Sequence, residues 1–212
     1  MDFDEIVKGR RSIRRYEDRE VPLPLIMQAI QLATWAPNSA NLQPWKFFVV
    51  KDRKTIDVMA NAVQAKADLI ASWPEAAEFG GALDGFKGSI ASFRAAPIVI
   101  GVAIGPYQNL ADRIVAKRGD SDPDAREVFQ NRLGIANRAQ IAASATAHLL
   151  LALHSLGLGG FWAAGAMIAR GELQEILAVP EGMELFTLVP VGYPAESPSG
   201  SRKPVEEVVQ VI

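Results

Sequence analysis

Three stretches of the chain are apolar almost without a break: Trp45 to Val50, Ala96 to Ile104, and Leu185 to Tyr193. Each is short and rich in β-branched or aromatic residues, which predicts strands buried on both faces. Elsewhere the apolar positions return every three or four residues, which predicts helices. Phe3 to Lys8 is a short one ended by Gly9. Pro22 and Pro24 suit the start of a second, running to about Trp35 with Ile26, Ala29, Ile30 and Ala33 on its apolar face. Ala36-Pro37-Asn38 stops it, because the residue before proline disfavours the helical region. Lys54 to about Ser72 is a third helix. Trp73 to Gly88, with Pro74 and four glycines, reads as a loop or broken helices, and Gly105 to Pro123 as irregular. A helix starts near Pro123, and a longer one runs from about Asn137 to Leu156. The longer one is apolar nearly all round (Ile141, Ala142, Ala145, Leu149, Leu150, Leu153), the mark of a central helix. Glu172 to Val179 gives a last short helix and Val179 to Gly182 a turn. The tail after Pro198 ends in an apolar alternation through Ile212.

Strands and helices do not alternate along the chain, and helices dominate. That order favours α+β layers over a doubly wound parallel sheet. With no internal repeat or low-complexity tract, residues 1–212 read as a single domain.

Composition narrows the chemistry. There is no cysteine, which excludes disulfides, Fe–S clusters, zinc–thiolate sites and a thiol nucleophile. The two histidines, His148 and His154, lie six residues apart on the long helix. That is not the spacing of a helical metal pair, so core or capping roles are expected and no metal site. The formal net charge of −2 gives no basic field for nucleic acid or an anionic membrane. The acidic start Met1-Asp2-Phe3-Asp4-Glu5 does not resemble a secretory signal, and no apolar run is long enough to span a bilayer. The expectation is a cytoplasmic enzyme or binding protein. Any redox chemistry must come from a bound cofactor, because side chains other than cysteine are poor two-electron carriers.

Three segments carry candidate chemistry. Arg10, Arg11, Arg14 and Arg15 put four guanidiniums around Ser12 within six residues. Such a cluster repels itself unless neutralised, either by a phosphate held in arginine forks or by Glu17, Asp18 and Glu20 on a solvated face. Next, Pro37, Asn38, Ser39, Asn41 and Gln43 lead directly into the first strand at Trp45. Their amides and hydroxyl suit the mixed donor and acceptor edge of a planar heterocycle, or else cap the loop's own backbone. Third, Gly157-Leu158-Gly159-Gly160-Phe161-Trp162 follows the long helix and has Trp162 where a dinucleotide fingerprint needs its last glycine. Gly157 and Gly159 look like helix termination, while Ala163, Ala164 and Gly165 would let backbone approach a flat ligand.

In their order, these segments resemble the nitroreductase family. The matching elements are Arg10 to Arg14, the Ser-x-Asn-x-Gln-Pro-Trp loop Ser39 to Trp45, and the Gly-Leu-Gly-x-x-Trp turn Gly157 to Trp162. Gly192-Tyr193-Pro194 and the tail pair Arg202 and Pro204 complete the set. The resemblance implies an α+β fold, layered α/β/α around a mostly antiparallel sheet, and an intertwined homodimer with FMN at the subunit interface. It implies that Arg10, Ser12, Arg14 and Arg202 hold the FMN phosphate and the pyrimidine side of the flavin, with Arg11 in the same segment. Pro37, Asn38, Ser39 and Asn41 would come from the partner, Gln43 would join the cofactor-binding set, and Ala163, Ala164 and Gly165 would line the flavin near N5 and O4. Two positions depart from the pattern. Many relatives carry glutamate or arginine near 163–164, and a lysine often stands where this chain has Gly200.

The activity implied is hydride transfer from NADH or NADPH through flavin N5 to a nitroaromatic, quinone or enone, with ping-pong kinetics. No side chain serves as a catalytic acid or base. Alternatives on the same scaffold are a flavin destructase or dehalogenase, and a flavin store or sensor without turnover. Tyr107 to Phe129, with Trp73 and Phe79, would shape the acceptor's entrance or pack a subunit interface. Glu206 and Glu207 read as surface.

Overall fold

The computed structural model describes residues 2–119, 121–133 and 137–212. Eight helices are present among them: α1 Phe3–Gly9, α2 Leu23–Ala33, α3 Arg53–Ala71, α4 Gly81–Ser89, α5 Leu110–Arg118, α6 Pro123–Leu133, α7 Asn137–Ser155 and α8 Arg170–Ile176. Four strands, β1 Trp45–Val50, β2 Ile98–Ile104, β3 Gly159–Gly160 and β4 Glu184–Gly192, form one sheet in the order β1-β2-β4-β3. Every strand pair is antiparallel.

Alternation along β2 builds two cores. Ile98, Ile100 and Val102 face α2 and α7, together with Val189, Val191 and Leu149. Val99 and Ala103 face the other way, onto Met59 and Val63 of α3 and Leu173 of α8. The sheet is thus covered by helices on both sides, and the α/β/α layering holds. A bulge interrupts the β2–β4 register: Val102 pairs with Thr187 but Ala103 with Leu185, leaving Phe186 over. The extra residue lets both Leu185 and Leu188 point into the α3 core while Phe186 turns to the α7 side.

Two sequence expectations are corrected. Gly105 to Pro123 is not wholly irregular, since it contains α5, started by a capping box between Asn109 and Asp112. Gly159 does not end a helix: the left-handed turn is at Gly157 (φ 76°), and Gly159 already pairs with Gly192 in β3. In the tail, Val205–Glu207 is a single exposed 3-10 turn. Trp73 to Gly88 does form broken helices, a 3-10 turn at Pro74–Phe79 and then α4.

Candidate functional site

The basic segment leaves α1 and crosses to the β3 edge of the sheet. Ser12 bridges to Gly160 and the Ile13 N–H donates to the Gly160 carbonyl at 3.1 Å. The crossing is close, since a Cβ on Gly159 would sit 2.6 Å from the Ile13 side chain. Tyr16 pins the far end, its hydroxyl donating to the Ile13 carbonyl at 2.7 Å. Its ring lies on Gly192, where a Cβ would come within 2.5 Å, so the Gly192-Tyr193-Pro194 strand end needs its glycine. Burial pushes the Tyr16 phenol pKa up, keeping it a neutral donor.

Arg10, Arg11 and Arg202 converge behind this segment. Burial first, and then Arg202 and Arg11, pull the pKa of Arg10 down. Arg11 donates to the carbonyls of Lys8 (2.6 Å) and Arg10 (2.9 Å), while its Nε is buried without a partner. Glu17, Asp18 and Glu20 are not the counter-charge. The carboxylate that meets the segment is Glu196, which accepts from the backbone N–H groups of Arg14 (2.5 Å) and Arg15 (3.1 Å). A hollow of 250 Å³ lies here, bounded by Arg10, Arg11, His154, Gly160, Glu196 and Ser197 among others. Crowded guanidiniums with one orphaned buried N–H fit a multiply charged anion such as a phosphate monoester.

From this hollow the wall continues along β3. The Arg14 guanidinium lies 5.0 Å over the Phe161 ring. The Ala163 N–H donates to the Leu188 carbonyl at 2.9 Å and its side chain is buried, whereas Ala164 and Gly165 are exposed. A Cβ on Gly165 would press within 2.8 Å of Ile90. Arg10, Arg11, Ser12, Arg14, Ala163, Ala164, Gly165 and Arg202 therefore belong to one side of the molecule.

Pro37, Asn38, Ser39, Asn41 and Gln43 do not join them. Their loop precedes β1, and Trp45 sits opposite Ile104, whereas Gly160 is reached through Val191 from Ile98. With strands about 4.8 Å apart and about 3.3 Å per residue, Trp45 and Gly160 occupy diagonal corners of the sheet roughly 25 Å apart. No side chain spans that gap. The loop is itself unusual: Ala40, Asn41 and Gln43 have φ of 53°, 52° and 47°, left-handed values that side chains resist. Asn38 Oδ1 accepts from the Gln43 N–H at 2.9 Å and Gln43 Nε2 donates to Asn41 Oδ1 at 3.2 Å, so part of the amide set braces its own loop. Ser39 stays exposed.

Two residues at the cationic hollow escaped the sequence reading. His154 lies against Gly9, where a Cβ would come within 2.9 Å of its Nε2; burial, then Arg10, then Arg11, lower its pKa. The available signal was its place three residues before Gly157, at the end of the long helix. Glu196 gave none, being far in sequence from the arginines it meets. His148 is simply tied to the Ser144 carbonyl at 3.0 Å. Tyr107 and Phe129 line a second cavity that Trp73 and Phe79 do not reach.

An antiparallel α+β sheet with a phosphate-sized cationic hollow at one corner, and a strained amide loop at the opposite corner, defines the class of protein. The nitroreductase family profile matches residues 7–193, and the chain belongs to that family. A protein assigned as an NADH dehydrogenase/NAD(P)H nitroreductase from Methanothermobacter thermautotrophicus is 30% identical over 93% of this chain and 80% of its own length. An iodotyrosine deiodinase from Haliscomenobacter hydrossis is 29% identical over 92% and 80%. Among solved structures, a BluB-like flavoprotein from Clostridium difficile superposes with a TM-score of 0.87 at 22% identity, over 100% of this chain and 99% of that one. A protein assigned as a nitroreductase from Desulfovibrio desulfuricans, solved in complex with FMN, gives 0.67 at 25% identity over 98% and 95%.

Proposed function

We propose that the chain binds FMN between two copies of itself and works as an NAD(P)H-dependent oxidoreductase on small acceptors. The observation that carries this reading is the pair of incomplete half-sites at diagonal corners of one sheet. A two-fold symmetric dimer can bring the loop of one copy to the arginines of the other, completing two equal sites. The FMN-bound neighbour and the NAD(P)H nitroreductase relative support the same assignment.

When bound, FMN supplies reversible two-electron carriage between NADH or NADPH and a nitroaromatic, quinone or enone. Arg10, Arg11 and Arg202, with the Ser12 hydroxyl, would hold its phosphate; Arg14, fixed over Phe161, would face negative charge on the pyrimidine edge. Ala163, Ala164 and Gly165 present backbone rather than bulk, and from the partner Pro37, Asn38, Ser39, Asn41 and Gln43 would close the other side. With a quinone, NAD(P)H and one solvent proton give NAD(P)+ and the hydroquinone, so no side-chain acid or base is required. A cytoplasmic location, where the reduced nicotinamide pool is held, goes with this reading.

The test is the visible spectrum of purified protein, followed by NAD(P)H oxidation with a quinone. The expected result is a flavin spectrum whose chromophore separates on denaturation, with ping-pong kinetics. A colourless protein that takes up no added FMN overturns the proposal, and bound flavin without turnover points instead to a store or sensor.

A further inference from the structure

A cavity of 440 Å³ lies between α5, α6, the first turn of α7 and the start of β4, within the roughly 300–1,000 Å³ range of small-molecule sites. Its wall is largely carbon, with the rings of Tyr107, Phe129 and Phe186 beside Ile104, Val115 and Leu185. Phe186 is the bulge residue, and it meets Trp162 edge-on with centroids 5.7 Å apart. One aromatic wall thus adjoins the residue before Ala163. On the other side, Tyr107 follows Gly105, whose N–H donates to the carbonyl of Pro44, the neighbour of Gln43. The cavity therefore touches chain next to both half-sites.

The charges around it are uneven. Arg138 is spent on Glu184 (3.0 Å) and on the carbonyls of Ile104 and Gly105 (both 3.0 Å). Asp112 accepts from the Asn109 N–H at 3.0 Å in the α5 capping box. The side chains of Arg170, at the start of α8, and of Arg113, in the adjoining hollow, have no ion pair or hydrogen bond among the described residues. An apolar slot with a free guanidinium on its wall favours a flat ring that carries an acid group. A neutral ring would gain no charge-assisted bond from the guanidinium, and a cation placed against it would be disfavoured.

We propose that this cavity takes the acceptor as a planar aromatic anion of the benzoate type, its ring against Tyr107, Phe129 and Phe186 and its acid group on Arg170. The redox half rests on the flavin reading above; the binding half stands without it. For a nitro acceptor, NAD(P)H and one solvent proton reduce the nitro group to nitroso, releasing NAD(P)+ and water.

The test uses 4-nitrobenzoate and 4-nitrobenzamide, which share ring and reducible group but differ in charge. Steady-state rates at saturating NAD(P)H are measured on the parent protein, Arg170→Gln and Arg113→Gln, with calorimetric titration of both compounds into each. The acid is expected to bind more tightly than the amide, and Arg170→Gln to raise the KM and Kd of the acid about 10–100-fold, leaving kcat, the amide and the flavin spectrum unchanged. Equal affinity for acid and amide in the parent, or equal weakening of both in the variant, overturns the proposal. So does an acid preference that persists in Arg170→Gln and disappears in Arg113→Gln. Should the protein turn over no acceptor at all, the flavin reading fails. The titrations then decide this proposal alone: Arg170-dependent acid binding upholds it and its absence overturns it.

Discussion

Arg10 stands where Arg11 and Arg202 both press on it and burial strips its water, three effects that all disfavour its charge. Among the described residues no carboxylate forms an ion pair with Arg10, and Glu196, in the same hollow, accepts from the backbone of Arg14 and Arg15. A phosphate would relieve the crowding, so Arg10→Ala should weaken FMN binding about 10–100-fold, read by fluorescence titration. Arg10→Lys should recover only part of that, since an ammonium keeps the charge but loses the fork. His154 adds a pH dependence. Its folded-state pKa lies below the ordinary 6.5, because burial first, and then Arg10 and Arg11, oppose its protonation. Well above 6.5 the ring is neutral folded or unfolded and stability does not depend on it. As pH falls below that value the unfolded chain takes up the proton first, so stability drops until the folded pKa is passed. Thermal melts of flavin-free protein between pH 7 and 5 should show this loss, and His154→Gln should reduce it. Bound phosphate would supply the missing negative charge, so the flavin-loaded protein should lose less; an equal loss with and without FMN would separate His154 from the phosphate site.

The elements that sequence made legible are those whose own residues decide them. β2 is a continuous apolar run and β1 and β4 are nearly so, and α7 is apolar nearly all round because it is central to one core. β3 could not be read that way. Two glycines have no strand preference, and Gly159–Gly160 pairs only because β4 and Ile13 close on it from both sides. α5 hid because its nine residues show a weak apolar stripe, leaving only end signals, the Asn109–Asp112 capping box and Gly119 after Lys117 and Arg118. The site was legible to a similar depth: the arginines, the amide loop and the small residues could be found, but not His154 or Glu196, which only the folded chain brings to them. β3 also makes a sharp test of how the cationic corner is held. A Cβ on Gly160 would lie 2.5 Å from the Pro190 carbonyl oxygen, a backbone atom that cannot swing aside. Gly160→Ala should destabilise the fold by about 1–3 kcal/mol and lower Tm by roughly 2–12 °C. It should also weaken FMN binding by displacing Ser12 and Ala163 together. In the loop before β1 the sign reverses. Ala40 holds φ 53°, so Ala40→Gly should stabilise the flavin-free protein by about 1 kcal/mol, measured by denaturant melts.

At the scale of the whole molecule, the arginine cluster and the amide loop cannot meet within one chain, since β1 and β3 are opposite edges of the sheet and the two segments lie at opposite ends of those edges. The surface is consistent with a partner: Trp35 at the end of α2 is 80% exposed, and Val211 and Ile212 in the tail are essentially bare. An exposed apolar set of this kind is what an obligate interface covers. Complementation tests the arrangement directly. One chain carries Arg10→Ala with Arg202→Ala, damaging its arginine half; the other carries Ser39→Ala with Asn41→Ala, damaging its loop half. Each variant alone forms dimers in which both sites are defective. In a mixed dimer joined across the interface, one site collects both lesions, while the other receives intact arginines from the loop variant and an intact loop from the arginine variant. Random pairing makes half the dimers mixed, each with one good site, so the co-expressed pair should recover about one quarter of the parent flavin content and turnover. If arginines and loop instead served the same flavin within one chain, every site in the mixture would hold one lesion and nothing would be recovered.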